Sequence, residues 1–329
     1  MRVPYESLRS EFERVLLSLG FTPAKAGVIA TIFADNSRDG VYTHGLNRFP
    51  AFVQFVKAGH VDPHAEPSLD SATGALERWN GHFGLGPLNA RHALARAIEL
   101  ARQSGLGCVA LRHTNHWMRG GTYGWQAAEA GFIGICFTNT TALMPAWGGT
   151  EPRLGNNPLV IAVPNKAGHL VLDMAMSQFS MGKLAQYQTA GTKLPVPGGY
   201  DSAGQLSDNP ADILAARRPL PIGFWKGSGL ALMLDVLATV LSHGNSTADI
   251  TRQPVETGVS QVFICLQADE ALCNRVGNQI IDYVKSDQPE GGTGSVRYPG
   301  EGTLSTRAAN LKLGIPVDEA IWSAVLKLG

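Results

Sequence analysis

Five short apolar runs, held apart by helical stretches, constrain this chain most. Cys108 to Leu111, Phe132 to Phe137, Pro158 to Val163, Leu170 to Met174 and Val262 to Leu266 have strand length and little polar alternation. A strand apolar on both sides belongs in a sheet covered on both faces. Leu88 to Ser104, Thr122 to Ala130 and Gly229 to Ser242 carry helical spacing between or beside these runs, and Gly105 ends the first. The alternation predicts an α/β domain around a buried sheet. Neither G-x-G-x-x-G nor G-x-x-x-x-G-K-[ST] occurs, so an ordinary Rossmann or P-loop reading fails.

The first sixty residues or so read differently. Tyr5 to Leu19 places Leu8, Phe12, Val15, Leu16 and Leu19 at helical spacing and stops at Gly20. Pro23 stands where a second helix begins, running to Arg38. A third is expected from Leu46 to Lys57, with Phe49, Phe52, Val53 and Val56 inward and Gly59 closing it. A short last helix, Glu319 to Leu328, can pack back on this unit. The expected division is a helical unit, 1–74 joined by 305–329, and an α/β unit, 75–304. Pro195 to Pro210 and Gln288 to Ser295 read as surface excursions.

Lysine plus arginine equals aspartate plus glutamate, 27 each, which argues against nucleic acid or an anionic membrane as partner. A small molecule fits better. Cys108, Cys136, Cys265 and Cys273 form no C-x-x-C, so neither a disulfide framework nor a zinc ribbon is expected. The opening M-R-V-P-Y-E-S-L-R-S lacks the apolar core of a signal peptide, and Asp235 interrupts the longest apolar stretch, Leu230 to Leu241. A cytoplasmic location is expected.

Chemistry concentrates in Gly40 to Pro50, G-V-Y-T-H-G-L-N-R-F-P. If this stretch is helical, His44 and Arg48 share a face. Arg48 offers a fork that matches a carboxylate, and His44 can carry a proton near neutral pH. That pair suits the reduction of a ketoacid; equally, Thr43-His44-Gly45 can be a helix-end turn and Arg48 a solvated charge. R-H-T-N-H-W-M-R-G-G-T-Y-G, Arg112 to Gly124, follows a strand and adds His113 and His116, read as acid/base, capping or metal-binding groups. Asp173 ends an apolar strand and needs a partner, a backbone cap or a ribose hydroxyl. Gly223-Phe224-Trp225-Lys226-Gly227-Ser228-Gly229 opens a helix in a way that suits a phosphate. Arg297-Tyr298-Pro299-Gly300-Glu301-Gly302 reads as a tight turn.

In order, G-V-x-[ST]-H-G-x-x-R, N-H, D-M-A, W-K-G-x-G and P-G-E resemble the malate/L-lactate dehydrogenase family over essentially the whole length. The resemblance implies a non-Rossmann, NAD(P)-dependent oxidoreductase, commonly dimeric, with sites near the subunit boundary. It implies a mixed-sheet cofactor domain beside a mainly helical unit built from both termini. It makes His44 the proton donor, Arg48 the carboxylate anchor and His116 a partner or replacement for His44. It assigns the cofactor to His169, Leu170, Val171, Leu172, Asp173, Met174 and Ala175, to Trp225 and Lys226, and to Gly300, Glu301 and Gly302. No metal is expected. The implied substrate is a diketo sugar acid, with malate, lactate, ureidoglycolate or a cyclic imino acid as alternatives; NADH and NADPH both stay open, and an Asp173 that accepts from a ribose hydroxyl would favour NADH. Thr140 stands where some relatives carry a lysine, which weakens the ureidoglycolate alternative. P-G-E-G in place of P-G-H-E weakens the contact at Glu301.

Overall fold

The structure is a computed structural model that describes every residue except Thr293. Helices α1 (Tyr5–Ser18) and α2 (Pro23–Arg38) pack together and receive α3 (Phe49–Lys57). Pro23 at the first position and the Thr22 hydroxyl, which accepts the Lys25 N–H, start α2. Phe12, Phe33 and Phe49 are fully buried, with ring centroids 4.2 Å apart for Phe12–Phe49 and 5.1 Å for Phe33–Phe49. Such pairs add about 0.5–1.5 kcal/mol beyond simple burial. The last helix, α12 (Glu319–Leu326), inserts Trp322 and Val325 into the same core. Strand β1 (Arg2–Val3) pairs antiparallel with β13 (Ile315–Pro316), so both ends of the chain close one unit.

The main sheet has seven strands in the order β2 (Ser68–Thr73), β3 (Leu76–Asn80), β4 (Leu106–Thr114), β12 (Val259–Gln267), β5 (Phe132–Thr138), β8 (Leu159–Val163) and β9 (Leu170–Met174). Only β3 and β4 run parallel; every other neighbouring pair is antiparallel. Along β12, Phe263 and Cys265 enter the core under α4 (Gly86–Ser104) and α5 (Gly121–Glu129). Val262 and, partly buried, Ile264 face the opposite core under α8 (Trp225–Ser242). Burial on both faces is the physical reason for the continuous apolar runs. The α/β class and the mixed sheet are as the sequence implies.

Several elements depart from the sequence reading. The sheet starts at Ser68 with an edge strand whose residues are all exposed. The helical segment from Leu46 opens as a 3-10 turn, Leu46–Arg48, and becomes the α-helix α3 only at Phe49; a further 3-10 turn, Tyr42–His44, precedes it across Gly45. Short pairs β6 (Met144–Pro145) with β7 (Pro152–Leu154) and β10 (Gly199–Tyr200) with β11 (Leu206–Ser207) lie outside the main sheet. The excursion at 195–210 is thus a hairpin flanked by α6 (Met181–Thr189) and α7 (Pro210–Ala216), packed around Leu184, Leu194 and Ile213. Helices α9 (Thr247–Thr251), α10 (Glu270–Lys285) and α11 (Glu301–Leu313) complete the chain. The excursion at 288–295 contains Thr293 and falls partly outside the described residues.

Candidate active site

The end of α2 builds the first wall. Asn36 donates its side-chain amide to the His44 carbonyl at 2.9 Å, and the Leu46 N–H donates to Ser37 Oγ at 2.9 Å. Gly45 lies so close to α2 that any Cβ there would overlap Ser37. The two 3-10 turns are therefore pinned to α2, with His44 and Arg48 carried on the free side. His44 and Arg48 line one cavity together, brought there by these two turns and not by a continuous helical repeat.

The loop after β4 builds the second wall. Gly86, the first residue of α4, abuts the carbonyls of Asn115 and His116 and leaves no room for a side chain. Met118 has φ of 66°, and its N–H donates to His116 Nδ1 at 3.0 Å. A backbone N–H can only donate, so neutral His116 carries its proton on Nε2. The His44 and His116 rings stack, with centroids 5.7 Å apart and planes 12° apart.

Burial pushes both imidazoles well below their ordinary pKa of 6.5. His44 is lowered further by His116, Arg48 and Arg119, and His116 by Arg48. Folded-state values below the unfolded value mean that the unfolded chain takes up protons first as pH falls. The stabilisation is full above the unfolded value and is lost as pH drops from there towards the folded values. The urea midpoint should therefore fall between about pH 7 and about pH 5, and the double variant His44→Gln, His116→Gln should show a shallower fall. An equal slope in that variant would assign the acid sensitivity to other groups.

Three adjoining cavities share His116 and a residue the sequence reading did not single out, Glu256. The first, about 230 Å³, is also lined by His44, Arg119, Asp173 and Ala175. Arg48 faces the other two and makes no ion pair among the described residues. Its fork is open to an acid. Thr140, on the wall of the first cavity, donates its hydroxyl to Asn156 Oδ1 at 3.1 Å. Asp173 has a backbone partner: the Gly121 N–H donates to Oδ2 at 2.8 Å, at the start of α5. Its side chain is 28% exposed and lines the first cavity. Burial raises its pKa, against the opposing pull of Arg119 and the Gly121 N–H.

Arg119 reaches the cleft from a charged knot. Asp39 is 5% exposed and accepts from Arg38 Nε, Arg119 Nη1 and both Nε and Nη2 of Arg307, each at 2.8 Å. Burial alone would raise the Asp39 pKa; the hydrogen bonds from Arg307 and Arg38 win and hold it at about 2. Arg119 Nε is buried without a partner among the described residues, 3.8 Å from Asp173 Oδ2.

The remaining expected cofactor residues are not gathered in this cleft. They lie along and beyond the edge strand β9. His169, just before it, accepts the Asn165 N–H on Nδ1, and its ring centroid is 5.8 Å from that of Trp125. Leu170, Val171, Leu172 and Met174 pair with β8, and the Val171 N–H donates to the Pro299 carbonyl at 3.0 Å. Gly300 is seated on the His169 carbonyl, where a Cβ would come to 2.8 Å. Glu301 pairs with Lys285 and, with Gly302 and Arg297, lines a separate open cavity of about 420 Å³. Trp225, 64% exposed, and Lys226 start α8 and line none of these cavities. His113 stacks on Phe83 at 5.4 Å and lines none of them either.

The malate/L-lactate dehydrogenase family profile matches residues 3–326. The chain is 45% identical to a 2,3-diketo-L-gulonate reductase of Mannheimia succiniciproducens, covering 100% of both. It is 44% identical to an Escherichia coli protein of the same name, again over 100% of both. Its fold matches that of malate dehydrogenase from Entamoeba histolytica, with a TM-score of 0.93 over 100% of this chain and 97% of that one, at 24% identity. The chain belongs to the malate/L-lactate dehydrogenase family of oxidoreductases.

Proposed function

We propose that the chain reduces the 2-keto group of 2,3-diketo-L-gulonate to 3-dehydro-L-gulonate with NADH. The observation that carries this reading is the stacked His44–His116 pair facing a cleft beside Arg48, whose guanidinium has no protein acceptor among the described residues. The name shared by the two full-length relatives supports the sugar acid as substrate.

The donor set fits a nicotinamide cofactor. Asp173 has one oxygen committed to Gly121 and one left to accept from a ribose hydroxyl, which favours NADH over NADPH. β9 carries Asp173 to the cleft, and its Val171 N–H donates to the Pro299 carbonyl, which ties the strand to the turn at Gly300. When bound, the nicotinamide supplies the hydride to the keto carbon.

The protein's own residues do the rest. Arg48 binds the substrate carboxylate and fixes the neighbouring carbonyl against the histidines. A bound carboxylate also offsets the Arg48 charge, one of the influences that keep His44 neutral, so substrate binding favours the imidazolium. His44 then gives its proton to the developing alkoxide. His116 is the poorer reservoir: protonating its Nδ1 would set N–H against the Met118 N–H. It serves as an Nε2–H donor that orients the carbonyl.

Arg48→Lys keeps the charge and loses the fork. Taking about 1.5–3 kcal/mol for a charged hydrogen bond, KM for the ketoacid should rise about 10- to 100-fold with a smaller change in kcat. An unaltered KM would place the carboxylate elsewhere.

The reading extends to assembly and location. α8 exposes Leu232, Met233, Val236, Leu237 and Val240 along one side, an apolar stripe that suits a homodimer interface. Such an interface would set Trp225 and Lys226 at a subunit boundary, where they could reach a cofactor. No described helix is long and apolar enough to cross a membrane, and all four cysteines are free thiols, which suits the cytoplasm.

A further inference from the structure

Glu256 is the one acid in the shared part of the cleft that the proposed reduction leaves without a task. It sits on the loop ahead of β12, faces Arg48 and His116 across the small cavity, and borders all three cavities. Its Oε2 accepts the Thr141 N–H at 3.0 Å, which fixes the side chain and leaves Oε1 without a protein partner among the described residues. A carboxyl group tethered by one oxygen and open at the other is built to meet a ligand. The reduction itself needs one carboxylate anchor and one proton source, and Arg48 and His44 fill those roles.

We propose that Glu256 is the specificity-determining residue of this site, hydrogen-bonding a substrate hydroxyl beyond the reacting carbonyl and rejecting a second carboxylate. The inference rests on the ketoacid-reductase reading above. A carboxyl oxygen accepts from a hydroxyl whether or not it is ionised, and when protonated it can also donate. A second substrate carboxylate in the same place meets either a like charge or a carboxyl group that must first take up a proton. Burial raises the Glu256 pKa, opposed by the Thr141 N–H and Arg48, so this carboxyl is already poorly disposed to a neighbouring anion. A monocarboxylate with a hydroxylated tail is therefore accommodated where a dicarboxylate is penalised.

Calorimetric binding of L-gulonate, malate and lactate to the full-length protein with NADH tests this without turnover. Lactate, with neither tail hydroxyls nor a second carboxylate, is the reference. Glu256→Gln keeps hydrogen bonding and removes the charge, so the malate-to-lactate affinity ratio should rise about tenfold. Glu256→Ala removes the hydrogen bond, so the gulonate-to-lactate ratio should fall about tenfold. Parallel changes for all three acids would mean a structural role and overturn the assignment, as would unchanged ratios or a wild-type protein that binds none of them. Failure of the reductase reading shows separately, as no NADH oxidation by wild-type protein with 2,3-diketo-L-gulonate.

Discussion

His44→Ala should lower turnover of the ketoacid by about 10²- to 10⁴-fold, the usual worth of a positioned acid. The expectation follows from how the two imidazoles are held. His116 has Nδ1 committed to the Met118 N–H, whereas among the described residues His44 Nδ1 meets the Thr43 hydroxyl alone, at 3.3 Å, which can rotate to donate or accept. Of the two rings, His44 is therefore the one that can pass between imidazole and imidazolium without breaking a backbone hydrogen bond. NADH affinity should change little, because Asp173 is placed by the Gly121 N–H and by the pairing of β9 with β8, not by the His44 ring. The reductive rate of wild-type protein should also decline as pH rises through the His44 pKa in the ternary complex. Stopped-flow NADH oxidation with a separate cofactor titration checks both. Full turnover in the alanine variant would remove His44 from the proton-donor role.

Asp39→Ala should cost about 3–5 kcal/mol of stability, the range for stripping one partner from a buried ion pair. Three guanidinium groups converge on this carboxylate from α2, from the loop before α5 and from α11. Arg119 is only 5% exposed, and without Asp39 its nearest acid is Asp173 at 3.8 Å. The variant thus leaves a buried cation poorly paired and loosens the attachment of α11 to α2. Urea denaturation of wild type and variant measures the loss. A difference below about 1 kcal/mol would mean that the knot relaxes into water and behaves as a surface pair.

Strong periodicity made α1, α2 and α12 legible, because each buries one stripe on a shared aromatic core. The central strands were legible because both of their faces are covered. β2 gave no such signal: Ser-Leu-Asp-Ser-Ala-Thr is exposed throughout and owes its pairing to β3. The helical start expected at Leu46 is present as a 3-10 turn that leads into α3, and Gly45, with φ −108° and ψ −125°, separates it from the turn that carries His44. Asp173 could be seen to need a partner, but Gly121 lies far away in sequence. Asp39 and Glu256 carry no local mark, one at a helix end and the other in a P-V-E-T-G loop; their weight comes entirely from tertiary neighbours. The Trp225–Lys226 stretch opens a helix as expected, yet it stands apart from the histidine cleft.

The most direct test of the central claim is NADH absorbance with purified protein and 2,3-diketo-L-gulonate, with pyruvate and oxaloacetate run in parallel. The account predicts fast oxidation with the sugar acid and slow oxidation with the other two. Preference for pyruvate or oxaloacetate would contradict the proposed substrate, and silence with every acid and both nicotinamides would contradict the reductase reading itself.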